Sequence, residues 1–159
     1  MLYKNIMVAY DGSEPANEAL IVAKDMIGDD AGATLHIVSI IPIGSAGIGL
    51  DSPVQPVVGM SQVFTDMDTF NTLLANAKDE TLTNLHEEVD DVVRDVKCHV
   101  EFAAYAAAKP AYGICEYAAD NKIDMIVMGR RGLGALRAML GSVSYAVLHE
   151  CDIPVVTVK

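Results

Sequence analysis

Residues 123–159 read IDMIVMGRRGLGALRAMLGSVSYAVLHECDIPVVTVK, and this stretch decides the fold. An apolar run, IDMIVMG, ends on Gly129 and reads as a buried strand bounded by turn residues. Two arginines and more glycine follow. SVSYAVLHEC then has the composition of a short helix, and IPVVTV is a second Val-rich strand. A strand, a helix and a strand in this order form a right-handed crossover with the two strands parallel.

The stretch also carries chemistry. Bare backbone at Gly129, Gly132 and Gly141 lets amide N–H groups approach a ligand. A helix opening at Gly141-Ser142 presents unpaired N–H groups and partial positive charge. Ser142 is placed either to cap that helix or to donate its hydroxyl to a phosphate, with the Ser144 hydroxyl close behind. Arg130 and Arg131 supply charge-assisted donors. Two familiar phosphate motifs are missing: there is no G-x-x-x-x-G-K-[ST], and Gly132-Leu133-Gly134 meets Arg137 where a G-x-G-x-x-G motif needs its last glycine.

The rest of the chain alternates in the same way. NIMVAY, Asn5 to Tyr10, reads as a strand that runs into Asp11-Gly12-Ser13. Ser13 precedes the helix EPANEALIVAKDMI, with Glu14 and Pro15 in its first turn and Gly28-Asp29-Asp30 closing it. Ala33–Ile43 is a second strand. Residues 44–65 are rich in Gly, Pro and Ser without period and read as a long flexible loop. Apolar spacing predicts a helix from about Asp66 to Val93, a third strand over Lys97–Ala103, and a helix in AAAKPAYGICEYAADNK that Gly113 weakens. The order is β-α-β-α-β-α-β-α-β in a single domain, residues 1–159. Strands apolar on both faces imply a parallel sheet covered on both sides, a three-layer α/β/α sandwich. In such sheets ligands sit beyond the carboxyl ends of the strands, where strand order reverses.

Composition narrows the function. Of 159 residues, 52% are hydrophobic, as expected of a packed domain, and the formal net charge of -11 argues against a nucleic-acid phosphate backbone as partner. The last segment is the exception: from Gly129 on, Arg130, Arg131, Arg137 and Lys159 face only Glu150 and Asp152. No apolar run is long enough to span a bilayer and the N-terminus has no signal-peptide form, so a cytoplasmic protein is expected. Cys98, Cys115 and Cys151 form no C-x-x-C pair and read as free thiols. His36, His86, His99 and His149 lack ligand spacing, and no metal site is expected. Asp11 fits either simple turn chemistry or a pocket contact, including help with Mg2+ on bound phosphates. Most of the methionines read as core; Met60 and Met67, in or near the long loop, fit core packing first and cover over a ligand second.

Gly129-x-x-Gly132, eight residues, then Gly141-Ser142 resembles the nucleotide motif of the universal stress protein family, G-x2-G-x9-G-[ST], with the second gap one residue short. The resemblance covers nearly the whole chain through VAYDGSE, TLHIVSIIP, IDMIVMGRRG, GSVSYAVL and IPVVTV. It implies a five-stranded parallel sheet in the order 3-2-1-4-5, of the adenine nucleotide alpha hydrolase-like type, and ATP or another adenine nucleotide as ligand. It also implies site residues. Asp11, with Ala9 and Tyr10 beside it, matches the acidic position of the pocket, and Ile40 an apolar position against the base. Met128, Gly129, Arg130 and Gly132 match the segment along ribose and phosphates. Gly141, Ser142, Val143 and Ser144 match the phosphate-binding helix start. The implied function is a nucleotide-responsive regulatory or stress-response module with an unknown protein partner. Slow ATP hydrolysis or phosphoryl transfer, and a dimeric interaction module without nucleotide, are the alternatives. The closing strand is a Val-rich sheet edge, and pairing through Val155–Val158 in a homodimer would cover it.

Overall fold

The computed structural model describes residues 3–43, 67–132 and 140–159. Along them run β1 (Asn5–Ala9), α1 (Glu14–Ile27), β2 (Thr34–Pro42), α2 (Met67–Val93), β3 (His99–Ala107), α3 (Pro110–Asp120), β4 (Met125–Gly129), α4 (Ser142–Glu150) and β5 (Val155–Val158). All strand pairs are parallel, and the sheet order is β3-β2-β1-β4-β5, as the resemblance implied. The order reverses between β1 and β4, so their carboxyl ends flank the crevice where such sheets take ligands.

The central strands explain the layering. Ile6, Met7, Val8, Ile126 and Val127 are wholly inaccessible, because side chains on alternate residues enter opposite faces and both faces are covered. Ile6, Val8 and Val127 pack with Ala19, Leu20 and Ala23 of α1 and with Leu85 and Val89 of α2. Met7, Val38, Ile126 and Met128 pack with Ile114 and Tyr117 of α3 and with Val147 of α4.

Local chemistry sets the ends of α1. The Ser13 side chain accepts the Ala16 N–H, Pro15 sits in the first turn, and Gly28 closes the helix at φ 57, a conformation costly for other residues. Gly113 does not interrupt α3. A Cβ there would come 2.6 Å from that of Ala107 and 3.3 Å from Ile40, so the glycine lets α3 lie close on β2 and β3.

Some expectations are corrected. β3 begins at His99, not Lys97, and runs on past Ala103 to Ala107, taking in Ala106 and Ala107, which the sequence placed with the following helix. Ile40, Ile41 and Pro42 pair with Tyr105, Ala106 and Ala107, so sheet pairing overrides helix propensity. Lys109, directly before Pro110, is extended at φ -134, ψ 135, and α3 starts only after it. Met67 is not core but 70% exposed, at the start of α2. The loop expected at about 44–65, with Met60, lies outside the described residues, as do residues 133–139 of the glycine-rich segment.

The cysteines depart most from expectation. Cys115 in α3 and Cys151, directly after α4, form a disulfide with their Cα atoms 5.6 Å apart. Cys98 alone is free, and burial pushes its thiol up. α3 and α4 cover the same sheet face, which brings together two cysteines separated by 36 positions in sequence.

Candidate functional site

At the end of β1 the chain turns through Asp11-Gly12-Ser13. One Asp11 oxygen, Oδ1, accepts the Ser13 N–H at 3.1 Å and the Ser13 hydroxyl at 2.6 Å. The other, Oδ2, faces Gly132 so closely that a methyl group on Gly132 would collide with it. Asp11 therefore takes the turn role, and its second carboxylate oxygen faces the glycine-rich segment.

The segment after β4 is held from three sides. The Arg130 N–H donates to Val158 O of β5 at 2.6 Å. The Arg130 carbonyl accepts the Gly141 N–H at 2.9 Å and the Ser144 hydroxyl at 2.7 Å. Gly129 abuts the first turn of α1, where a Cβ would fall 2.8 Å from that of Pro15. Residues 129–132 and the start of α4 thus form one tied unit at the switch point.

The start of α4 settles what Ser142 does in this structure. Gly141 is the N-cap at φ -64, ψ 151, with no side chain capping it, so Ser142 is the first helical residue and not the cap. Among the described residues, the backbone N–H groups of Ser142, Val143 and Ser144 and the Ser142 hydroxyl have no hydrogen-bond partner. Ser144 is 2% exposed, and its hydroxyl is used internally, on Arg130 O with Gly141 O at 3.0 Å.

The segment tied to this helix start carries two arginines, whose backbone passes close to Gly141. Among the described residues, the Nε atoms of Arg130 and Arg131 are buried without a hydrogen-bond partner and neither guanidinium enters a salt bridge. A buried N–H left unpaired is costly, and an anionic oxygen between the arginines and the helix start would satisfy it. A helix dipole, three amides and two arginines unpaired among the described residues are the donors an anion cradle needs, within an acidic protein.

Parity sorts the remaining candidates. Ala9, Ile40, Met128 and Val143 belong to the α3/α4 side of the sheet, an apolar surface beside the cradle. Ala9 and Met128 are adjacent in register. Tyr10, one residue on from Ala9, points to the opposite face, buried among α1 and α2. Its phenol donates to Asn17 at 2.6 Å. Burial first, then the charge of Glu88 and contact with it, and then Asp11, push that phenol up to about 12. Only the Tyr10 backbone, with its N–H on Val38 O, remains at the strand ends.

Sequence reasoning missed Glu88. Its carboxylate comes from α2 to within 3.3 Å of where a Gly12 Cβ would be, adding an acid beside Asp11. Nothing local marks it out from the other acidic residues of α2. His36 lies in the core, its Nδ1 3.1 Å from the Tyr117 hydroxyl, with Glu101 at 3.7 Å. Among the described residues no group of three or more His, Cys, Asp or Glu side chains is placed to hold a metal ion, and no helix is long and apolar enough to cross a membrane.

The comparisons with known proteins agree with one another. The sequence model of the Universal stress protein family matches residues 2–159. Universal stress protein MJ0531 of Methanocaldococcus jannaschii is 31% identical over 163 aligned residues, covering 99% of this chain and 83% of that protein. The solved structure of protein MJ0577 superposes with a TM-score of 0.74 at 26% identity, covering 100% of this chain and 97% of the other. A universal stress protein solved in complex with cAMP has a TM-score of 0.61 at 18% identity, with 100% and 99% covered. The one from Archaeoglobus fulgidus in complex with dAMP has 0.59 at 22%, with 100% of both chains covered. At these last two identities the likeness is one of fold.

Proposed function

Since the chain belongs to the universal stress protein family, we propose that it binds an adenine nucleotide, ATP foremost, and serves as a nucleotide-responsive regulatory module. The observation that carries this reading is the start of α4, where the amides of Ser142, Val143 and Ser144 are open among the described residues and the segment carrying Arg130 and Arg131 is tied to it through Arg130 O. That donor set suits phosphate oxygens. Ala9, Ile40 and Met128 offer the neighbouring apolar surface for a base. Two proteins of the same fold hold cAMP and dAMP, which supports adenine as the base.

In this reading the phosphates rest on Gly141, Ser142 and Val143, with Gly129 and Gly132 keeping the floor free of side chains. The outward Asp11 oxygen would meet a Mg2+ ion carried by the phosphates. We place the protein in the cytoplasm. Its β5 edge would pair with that of a second copy by two-fold symmetry, since Val155–Val158 end the sheet and are only half-buried.

Isothermal titration with ATP, ADP and AMP tests the site. Binding of ATP should weaken on the order of tenfold in Arg130→Ala and again in Arg131→Ala, since each removes charge-assisted hydrogen bonds. The chain has no tryptophan, so nucleotide carried through purification would show plainly in absorbance at 260 nm. Absence of adenine-nucleotide binding, or binding indifferent to both arginines, refutes the reading. Phosphate release measured alongside would separate a binder from a slow hydrolase.

A further inference from the structure

The Cys115–Cys151 bond sits at the far end of the helix that begins the anion cradle. α4 has nine residues, and the cradle amides open at Ser142 while Cys151 caps the other end. Packing holds this helix lightly, for only Ser144 and Val147 within it are buried. Tyr145 and Leu148 stand out from the protein, 62% and 45% exposed. Val143 and Ala146 add partly buried contacts with the same core; the ends are held by the Gly141 N–H and the Ser144 hydroxyl on Arg130 O and by the disulfide to α3. The bond also closes the loop that contains β4 and the whole glycine-rich segment.

Both cysteines are half-buried and not sealed in the core, unlike Cys98, so a reductant has access to them. In the cytoplasm proposed above, a disulfide is rarely a permanent brace and more often cycles. From this arrangement we propose that Cys115 and Cys151 form a redox clasp: oxidised, it fixes α4 and keeps the cradle ordered; reduced, it loosens α4 and lowers affinity for the nucleotide. The affinity half rests on the nucleotide reading above; the helix half does not.

The chemistry is thiol–disulfide exchange with a dithiol. A thiolate of the dithiol attacks one sulfur of the pair and expels the other as a thiolate, which takes up a proton. The second thiol of the dithiol then attacks the mixed disulfide and releases the remaining cysteine. The protein gains two electrons and two protons, and the dithiol leaves as its own disulfide.

Hydrogen–deuterium exchange on the folded, full-length protein, oxidised and then reduced with dithiothreitol, tests the clasp. Alkylation under denaturing conditions verifies each state, with Cys98 alone modified when oxidised and Cys115 and Cys151 as well when reduced. Amides of Tyr145–Leu148 should exchange on the order of tenfold faster after reduction, while those of β1 and β4 hold. ATP affinity by titration should fall several-fold. Cys115→Ser/Cys151→Ser should behave as the reduced protein in both conditions; if that variant does not fold, the two states of the unaltered protein decide. Unchanged α4 exchange in verified reduced protein overturns the clasp, and so does equal ATP affinity in the two states. Should ATP bind neither state, the nucleotide reading falls, and α4 exchange alone decides the clasp.

Discussion

The Ser144 hydroxyl donates to the Arg130 carbonyl at 2.7 Å, tying the first turn of α4 to the segment that leaves β4. The residue is 2% exposed, so this hydroxyl has no water to fall back on. Ser144→Ala removes the donor, while the carbonyl keeps the Gly141 N–H. Stability should drop by about 1–2 kcal/mol in urea unfolding, and ATP titration should show a weaker site because the two halves of the cradle part.

Gly132 and Asp11 should be coupled. A methyl group at Gly132 collides with Asp11 Oδ2, so Gly132→Ala must displace the carboxylate. In an Asp11→Ala background that collision is gone. A double-mutant cycle on ATP affinity should therefore return an interaction energy of about 0.5–3 kcal/mol. Strict additivity would show that the carboxylate and the glycine do not share a site.

The β5 edge gives a test of association that leaves the fold intact. Pro154 and Val158 turn their carbonyls inward to Ile126 and Arg130 of β4. By strand alternation the peptide groups of Val155 and Thr157 face outward. Thr157→Pro removes an outward N–H without touching the pairing to β4, and proline blunts an edge. Light scattering should give the mass of a dimer for the parent protein and of a monomer for the variant, with the circular dichroism spectrum unchanged.

His36 should make stability depend on acid. Burial is the main force holding its pKa below the ordinary value; His99 acts in the same direction and Glu101 against it. The unfolded chain then takes up a proton at a higher pH than the folded one. Stability contributed by neutral His36 is full above the unfolded value of roughly 6.5 and is lost as pH falls from there toward the lower folded value. Urea unfolding between pH 7.5 and 5 should show this decline, and His36→Gln should flatten it relative to the parent.

Reduction of Cys115–Cys151 should cost global stability as well as local order. Closing a loop of 36 residues stabilises a chain by about 4 kcal/mol in the chain-entropy account. For a domain of this size that corresponds to a melting temperature lower by roughly 10 °C after reduction. Calorimetry in the oxidised and reduced states reads the difference directly.

Much of the fold was legible because its signals are local. Ser13, Pro15 and Gly28 mark α1 to the residue, since caps act through the backbone beside them. The β4 and β5 runs are apolar on both faces and short, a pattern that leaves little choice but a covered parallel strand. β3 was misplaced because Tyr105–Ala107 take their conformation from Ile40–Pro42, partners remote in sequence.

The sequence by itself determined the alternation of strands and helices, the glycines and arginines after β4, and the position of a helix start at Gly141-Ser142. These follow from short-range propensity, periodicity and the chemistry of single residues. The tertiary structure decided how they combine. It turned the Tyr10 side chain away from the site by strand parity, assigned the Ser144 hydroxyl to Arg130, and brought Glu88 to Gly12. It also joined Cys115 to Cys151, which spacing alone left as separate thiols. Each of these depends on two segments meeting across the sheet or over one of its faces, and that meeting is fixed by packing, not by neighbours along the chain.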